Sequence, residues 1–461
     1  MNKATLLIGA ILFSTLFYGK TLGLNLLLFS ITTVVILFLS NRHNFKNQST
    51  IIFTCLYITT GLSVFFHDSL LSIIANLVTF FTLIGSISEH KSSIYINWLN
   101  GIYSSVAGLF HRNYSEDANT QKEIPKKDID YMHITKIIVI PGAIVFIFIL
   151  LYQNGNPLFE ELIDKIDLGF INLQWVLFTV LGYYLYSNIY KPVEVEPATK
   201  VDLKTENNLI KSEKFSDLIL KKENQLGITL IALLNVLIVI FLITDVTFIL
   251  TNLDIRASVF SAQVHSGINA LIASIIIAII ILLYVFRGDL NFYKDNQIIK
   301  RLAFSWILLN AFLILSIAVK NGQYIYYFGL TYKRIGVIIY LILTLTGLAT
   351  TLIKIDKIRN IWYLFRLNTK AAFIVLVMAS MVNWDYHITN YNFNYAQSMD
   401  FQYLIELSNN NTFFLKEQID TNVTHPDSIR QIEYKYNEYV KQLSMHSWQE
   451  LQYDNLNLNK E

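Results

Sequence analysis

Eleven apolar runs punctuate the chain, at residues 4–18, 21–40, 49–66, 69–88, 134–153, 172–190, 226–250, 268–286, 302–319, 335–353 and 371–384. An α-helix rises 1.5 Å per residue, so about 20 residues cross a ~30 Å hydrocarbon layer. Most of the runs have the length of a spanning helix. The first and last are short enough to lie at the interface instead, although Lys370 can snorkel from the edge of the last. Lys3 precedes the first run and a second run follows at once, without a small-x-small cleavage site between them. That pattern predicts an uncleaved signal anchor.

The polar stretches divide the pattern. Residues 1–190 read as an N-terminal membrane unit of about six spans and residues 191–225 as a charged linker. Residues 226–384 read as a second unit of about five spans, and residues 385–461 as a tail. The predicted fold is all-α, a polytopic transmembrane helical bundle with a small helical extracytoplasmic tail domain. Surface helices are expected where the apolar positions fall three or four apart. Tyr95, Leu99, Ile102, Val106 and Leu109 form one such stripe, within 92–111. A second begins at Pro157, and a helical patch is expected around Leu209, Ile210, Leu218 and Ile219. In the tail, Tyr403, Leu404 and Leu407 mark a short helix. Pro426 opens a longer one with Ile429, Ile432, Tyr436, Val440 and Leu443 on one face. With few large apolar groups, the tail should need the membrane helices to complete its core.

Composition sharpens this. Of 461 residues, 53% are hydrophobic and only 15% charged, where a soluble protein is roughly a quarter charged. The 36 Lys+Arg against 34 Asp+Glu argue against a nucleic-acid binder. Basic residues concentrate in alternate connections, which predicts a cytoplasmic N-terminus and an extracytoplasmic C-terminus.

Chemical motifs are sparse. Cys55, the single cysteine, sits mid-span and reads as buried and structural. The nine histidines form no HExxH or HxxxH pair, so no metal is expected, and no cofactor motif is present. Gly19-Lys20-Thr21 lacks the upstream glycine of a phosphate-binding loop, since position 14 is serine. A polar group near the outer side of the second unit carries more. Asp245 lies within a span, where a carboxylate is expensive and usually paired. Arg256, His265, Tyr332, Lys333, Arg334 and Asp385 fall within a turn or loop of the same face. Together they form a candidate polar site, with cations for an anionic lipid or lipid-linked headgroup and an Asp/His couple able to move protons. The plainer alternative is a belt of interfacial tyrosines with local ion pairs, Asp245 bonding Arg256 or Arg334. Asn25, Asn76, Asn235, Asn269 and Asn310 within spans are expected to hydrogen-bond between helices.

Several segments carry a family likeness. They are Val264-His265-Ser266-Gly267, Phe286-Arg287-Gly288-Asp289, Gly329-Leu330-Thr331-Tyr332-Lys333-Arg334, Asn383-Trp384-Asp385 and Met399-Asp400-Phe401-Gln402-Tyr403-Leu404. From about residue 226 onward the chain resembles a domain-of-unknown-function family of bacterial multi-pass membrane proteins. The resemblance implies a bacterial cytoplasmic (inner) membrane location and supplies no activity. Three functions remain open. The first is a non-catalytic membrane component such as a sensor, scaffold or assembly partner, with protein partners unknown. The alternatives are a transporter or flippase, and a membrane enzyme acting on a lipid-linked or periplasmic substrate.

Overall fold

The computed structural model describes residues 3–119, 172–212, 216–251, 257–422 and 426–458, with isolated positions between 141 and 156. The side chains of 115–119, 248–251, 257–268 and 420–422 lie outside that description. The described residues form sixteen α-helices. Among them the only β-type pairing is an isolated bridge between Asn208 and Arg359.

Two helical groups stand side by side. In the first, α1 (Lys3–Phe17), α2 (Leu24–Ser40), α3 (Gln48–Phe66) and α4 (Leu70–Ser88) share a core with α6 (Leu173–Ile189). Phe29, Tyr57, Phe80, Leu83 and Tyr186 fill that core, and α5 (Ile94–Asn119) lies against α4 and α6. A short α7 (Glu196–Lys204) leads to the second group: α8 (Asp217–Thr251), α9 (Ala257–Val285), α10 (Gln297–Phe328) and α11 (Tyr332–Asp356). These close around Ile275, Leu282, Phe286, Ile299 and Trp306. Helix α12 (Ile361–Ser380) packs on α11 and also on α3, α4 and α5, joining the groups.

Six of these helices, α3, α4, α8, α10, α11 and α12, are long and apolar enough to cross a membrane. Helices α1 and α2 and the described part of α9 are apolar but shorter. Helix α8 leaves Leu233, Val236, Leu237, Ile240 and Ile243 more than half exposed. A stripe of that kind requires a lipid neighbour. The chain is an integral membrane protein with an all-α fold, as the apolar runs predict.

Five expectations need correction or lie beyond view. Most of the run at 134–153 and the helix expected from Pro157 fall outside the described residues. The last apolar run spans the second half of α12 and the turn after it, and α12 starts at Ile361 because Asn360 caps it, its side chain accepting from the Tyr363 amide at 3.1 Å. Leu209 and Ile210 are not helical. The Leu209 amide donates to the Ile358 carbonyl at 3.0 Å, and the Asn360 amide to the Asn207 carbonyl at 3.0 Å, which holds the linker extended. Cys55 is exposed on the outer side of α3, because that helix buries Thr50, Tyr57, Thr60 and Val64 instead.

Helix α5 carries its amphipathic pattern inside out. Asn97, Asn100, Ser104 and glycines 101 and 108 face the protein, while Leu99, Ile102, Val106 and Phe110 face outward. The inward groups are all engaged: Asn100 Nδ2 donates to Thr199 Oγ1 at 3.1 Å and Ser104 Oγ to the Val193 carbonyl at 2.8 Å. An outward apolar stripe suits lipid.

The tail comprises α13 (Trp384–Asn394), α14 (Phe401–Glu406), α15 (Thr412–Asn422) and α16 (Pro426–Ser444). Its core of Ile388, Leu404, Leu415 and Ile432 is completed by Ile335, with Leu330 and Ile339 packed against it. Beyond α16 the chain crosses to the first helical group. The Leu24 amide donates to the Leu451 carbonyl at 2.8 Å, and Thr21 donates its amide and hydroxyl to Glu450 Oε1 at 2.9 and 3.0 Å. Tyr453 packs on Phe66, and Gln452 reaches the Leu22 carbonyl and Asp68. The tail thus ties both groups together at one end.

Burial would raise the Glu450 carboxyl, but hydrogen bonds from Ser447 and Thr21 outweigh it and hold the pKa down at about 2. A depressed carboxylate stabilises the docked state above its ordinary value of 4.5 and stops doing so as the pH falls toward 2. Burial raises Asp68 and Asp454 from their ordinary value of 3.8. They bind protons more tightly when docked, so their contribution is full at low pH and fades as the pH rises through the raised values. Amide exchange in 447–458, corrected for intrinsic rate, should therefore be slowest near about pH 4–5 and faster on either side. Protection that is flat from about pH 3 to about pH 8 would contradict this.

Candidate functional site

The turn between α10 and α11 is built residue by residue from one stretch, 329–334. Gly329 ends α10 at φ 80°, in the left-handed region where glycine is favoured, and a Cβ there would run into Asn392. Asn392 takes the backbone of Leu330 at both ends. Its Oδ1 accepts from the Leu330 amide, and its Nδ2 donates to the Leu330 carbonyl at 3.0 Å. Thr331 caps α11, accepting from the Arg334 amide. Tyr332 faces the tail: its amide donates to the Tyr403 hydroxyl at 2.9 Å and its hydroxyl to Asp385 Oδ1 at 2.7 Å. Asp385 is buried and accepts further from the Ser408 hydroxyl and from Asn410 Nδ2 at 3.3 Å.

Arg334 turns the other way. Its guanidinium donates to the carbonyls of Phe328 (2.7 Å) and Gly329 and lies 4.1 Å over the Tyr324 ring. It therefore neutralises the negative end of α10. Its Nε is buried without a partner among the described residues. Lys333 is exposed and, among the described residues, has no hydrogen-bond or ion-pair partner.

Lys333 and Arg334 open onto a cleft of about 410 Å³ between α9, α10 and α11. Asn269, Asn321, Tyr324 and the two cations line it with Ile272, Val337 and Tyr340. Along α11 the cations occupy the first turn, while Val337 and Tyr340 lie one and two turns further into the apolar part of the helix. The cleft is thus cationic at its mouth and largely apolar deeper in, a gradient that matches a headgroup followed by a hydrocarbon chain.

The remaining sequence candidates sit elsewhere. Asp245 is buried on α8 and pairs with Lys320 and the Ser316 hydroxyl on α10, while Arg334 turns to the end of α10. Lys320 was expected in a loop because the apolar run stops at 319. In fact α10 continues to Phe328 and carries Lys320 inside. Arg256 lies outside the described residues, and so does the side chain of His265. The candidates therefore divide among a buried ion pair, a clamp under the tail and a cleft.

Of the clamp's partners, Asn392 and Ser408 belong to the family-likeness segments Tyr391-Asn392 and Leu407-Ser408 but gave no sign of their role, and Asn410 is an ordinary polar residue outside any motif. Sequence reasoning also missed Lys435, whose ammonium donates to the carbonyls of Ile405, Leu407 and Ser408 and to Asn411 Oδ1. Burial lowers that lysine to about 8, with the Asp385 charge opposing the shift. Other motif residues serve as anchors. Arg287 pairs with Glu223 at 3.6 Å, Asp289 accepts from the Ser212 amide at 2.9 Å, and Asn383 and Asp400 cap α13 and α14. Among the described residues no cluster of three metal-ligating side chains exists.

Replacing Asp245 with Asn removes the carboxylate that faces the buried Lys320 ammonium, so thermal unfolding in nanodiscs should show a loss of about 3 kcal/mol. The double variant Asp245→Asn, Lys320→Met should recover most of it, and a double variant as unstable as the single would refute the pairing. Asp385→Ala leaves the Tyr332 and Ser408 hydroxyls without that acceptor, each costing about 1–3 kcal/mol, while Asn410 keeps the Asp68 carbonyl and Ser408. It should expose the tail to limited proteolysis while the membrane helices stay intact.

Residues 4–417 match the family model described as a domain of unknown function, DUF4153. The match therefore takes in the first helical group as well as the second, beyond the stretch from about 226 on which the motifs pointed to a likeness. No curated protein and no solved structure matches the chain. By a match spanning nearly its whole length, the chain belongs to the domain-of-unknown-function family DUF4153.

Proposed function

We propose that this protein is a non-catalytic component of the bacterial cytoplasmic membrane, a sensor, scaffold or assembly partner that holds an anionic amphiphile in the cleft between α9, α10 and α11. The observation that carries this reading is Lys333, a cation without a partner among the described residues at the mouth of a cleft whose depth is largely apolar. Arg334 adds positive potential beside it, with its buried Nε short of an acceptor among the described residues. The clustering of basic linkers at the end opposite the tail favours a cytoplasmic N-terminus and an extracytoplasmic tail. The cleft would then face the outer leaflet.

Local pairing supports the non-catalytic reading. A general acid or base must have a partner position open to substrate. Asp245 is engaged by Lys320 and Ser316, and Asp385 by Tyr332, Ser408 and Asn410.

The test is lipid retention. The protein in nanodiscs of mixed phosphatidylglycerol and phosphatidylcholine should carry phosphatidylglycerol preferentially into native mass spectrometry. A basic residue near an anionic surface contributes about 1 kcal/mol, so Lys333→Gln should weaken retention about fivefold. Equal retention of both lipids, or no effect of Lys333→Gln, would overturn the assignment.

A further inference from the structure

The tail carries a second concave surface, separate from the cleft. It is a groove of about 520 Å³ between the turn after α14 and one face of α16. Its volume falls within the roughly 300–1,000 Å³ usual for small-molecule sites. Ile405 and Leu407 contribute its apolar surface, and Tyr434 presents its ring with 69% of the residue exposed. The side chains of Gln431, Tyr434 and Glu438 have no partners among the described residues. Gln442 offers its amide nitrogen, only its oxygen being engaged, by Asn409 at 3.5 Å.

The charges in the groove define what it would take. The Lys435 ammonium is consumed by four oxygens of the tail itself, so it offers nothing to an anion. Arg430 lies 3.9 Å from Asp427, and Glu438 adds a carboxylate to the same lining, so no cluster of one sign stands ready to recruit an ion. Among the described residues there is no strand edge for an extended peptide to add to. A large apolar ligand would find only two aliphatic side chains, the Tyr434 ring and the edge of the buried Tyr439. What remains is an exposed flat ring flanked by planar amides and a carboxylate. Such a set stacks on the C–H face of a pyranose and hydrogen-bonds its hydroxyls, donor and acceptor both being available.

We propose that the groove between Leu407 and Tyr434 is a binding site for a neutral carbohydrate, with Tyr434 as the stacking platform and Gln431, Glu438 and Gln442 reading the hydroxyls. The assignment is independent of the cleft, because no residue is shared between the two. With the topology proposed above, the sugar would be one available outside the cell membrane.

Saturation-transfer NMR and calorimetry on the full-length protein in nanodiscs test this. The probes are chitotetraose and maltotetraose, with tetra-alanine and inorganic tripolyphosphate as the non-sugar comparison. At least one oligosaccharide should bind with a Kd between about 10 µM and 10 mM, the range of a shallow polar site. Tyr434→Ala should weaken it roughly tenfold, the scale of one aromatic stacking contact. Gln431→Ala should weaken it by less, and Lys333→Gln should leave it unchanged. Both tail side chains are exposed, so the variants keep the fold. Absence of sugar binding up to about 10 mM would overturn the proposal. So would preference for the peptide or the phosphate, or binding that Tyr434→Ala does not alter. Failure here with retained phosphatidylglycerol preference would refute the groove alone.

Discussion

Hydrocarbon cannot hydrogen-bond, so every polar group drawn into the membrane must find its partner within the chain. That constraint organises both helical groups. Asp245 and Lys320 bind each other across α8 and α10. Lys354 donates to the Phe286 carbonyl at 2.7 Å, closing the exposed end of α9, and Arg334 does the same service for α10. In the first group the same demand is met by neutral side chains: Asn76 Nδ2 reaches Ser30 and Thr60, and the Thr60 and Thr79 hydroxyls bond at 2.9 Å. Helix α5 shows the rule acting on a whole element. Its polar residues turn toward the protein and its apolar ones away, the reverse of a helix on a soluble domain.

Seen this way, the tail is a brace. Its four helices bury too few apolar groups to stand alone and borrow Ile335 from α11. In return Asn392, Asp385 and Tyr403 fix the α10–α11 turn from above. The segment after α16 then docks on the α1–α2 and α3–α4 turns of the other group. At the opposite end Asp202 performs a parallel role, accepting from the Ser93 amide, the Tyr95 hydroxyl and Arg366. Those contacts join α5, α7 and α12. The two membrane groups are therefore held at both ends by polar clasps as well as by the packing of α12 between them.

The helices were legible because apolar run length is a direct consequence of bilayer thickness, and the tail helices because Pro426 and the stripe behind it follow helical period. Boundaries were not legible where a charged residue lay inside a helix. Lys320 ended an apolar run in the sequence and Arg366 stood between two of them, yet each sits within a helix because a distant carboxylate, Asp245 or Asp202, receives it. Pairing across more than 70 residues leaves no local trace. The candidate site was legible as a list and not as an arrangement. One face of the membrane collected Asp245, Tyr332, Lys333, Arg334 and Asp385. Their division depended on which way each side chain leaves the first turn of α11, a matter of helical phase set by the Thr331 cap and by the Asn392 grip on Leu330.

That phase gives Lys333 its significance. Three consecutive residues leave the same turn in different directions: Tyr332 to the tail, Arg334 to the end of α10, and Lys333 to the cleft. The first two are consumed by protein groups. At the tail end of the membrane helices and their turns, the other described cations are satisfied too, Lys20 by Glu450 at 3.6 Å and Lys320 by Asp245. Among the described residues charges are matched this consistently, and the exception is one ammonium facing a largely apolar cleft beside a buried guanidinium, which is the charge that the proposed anion would answer.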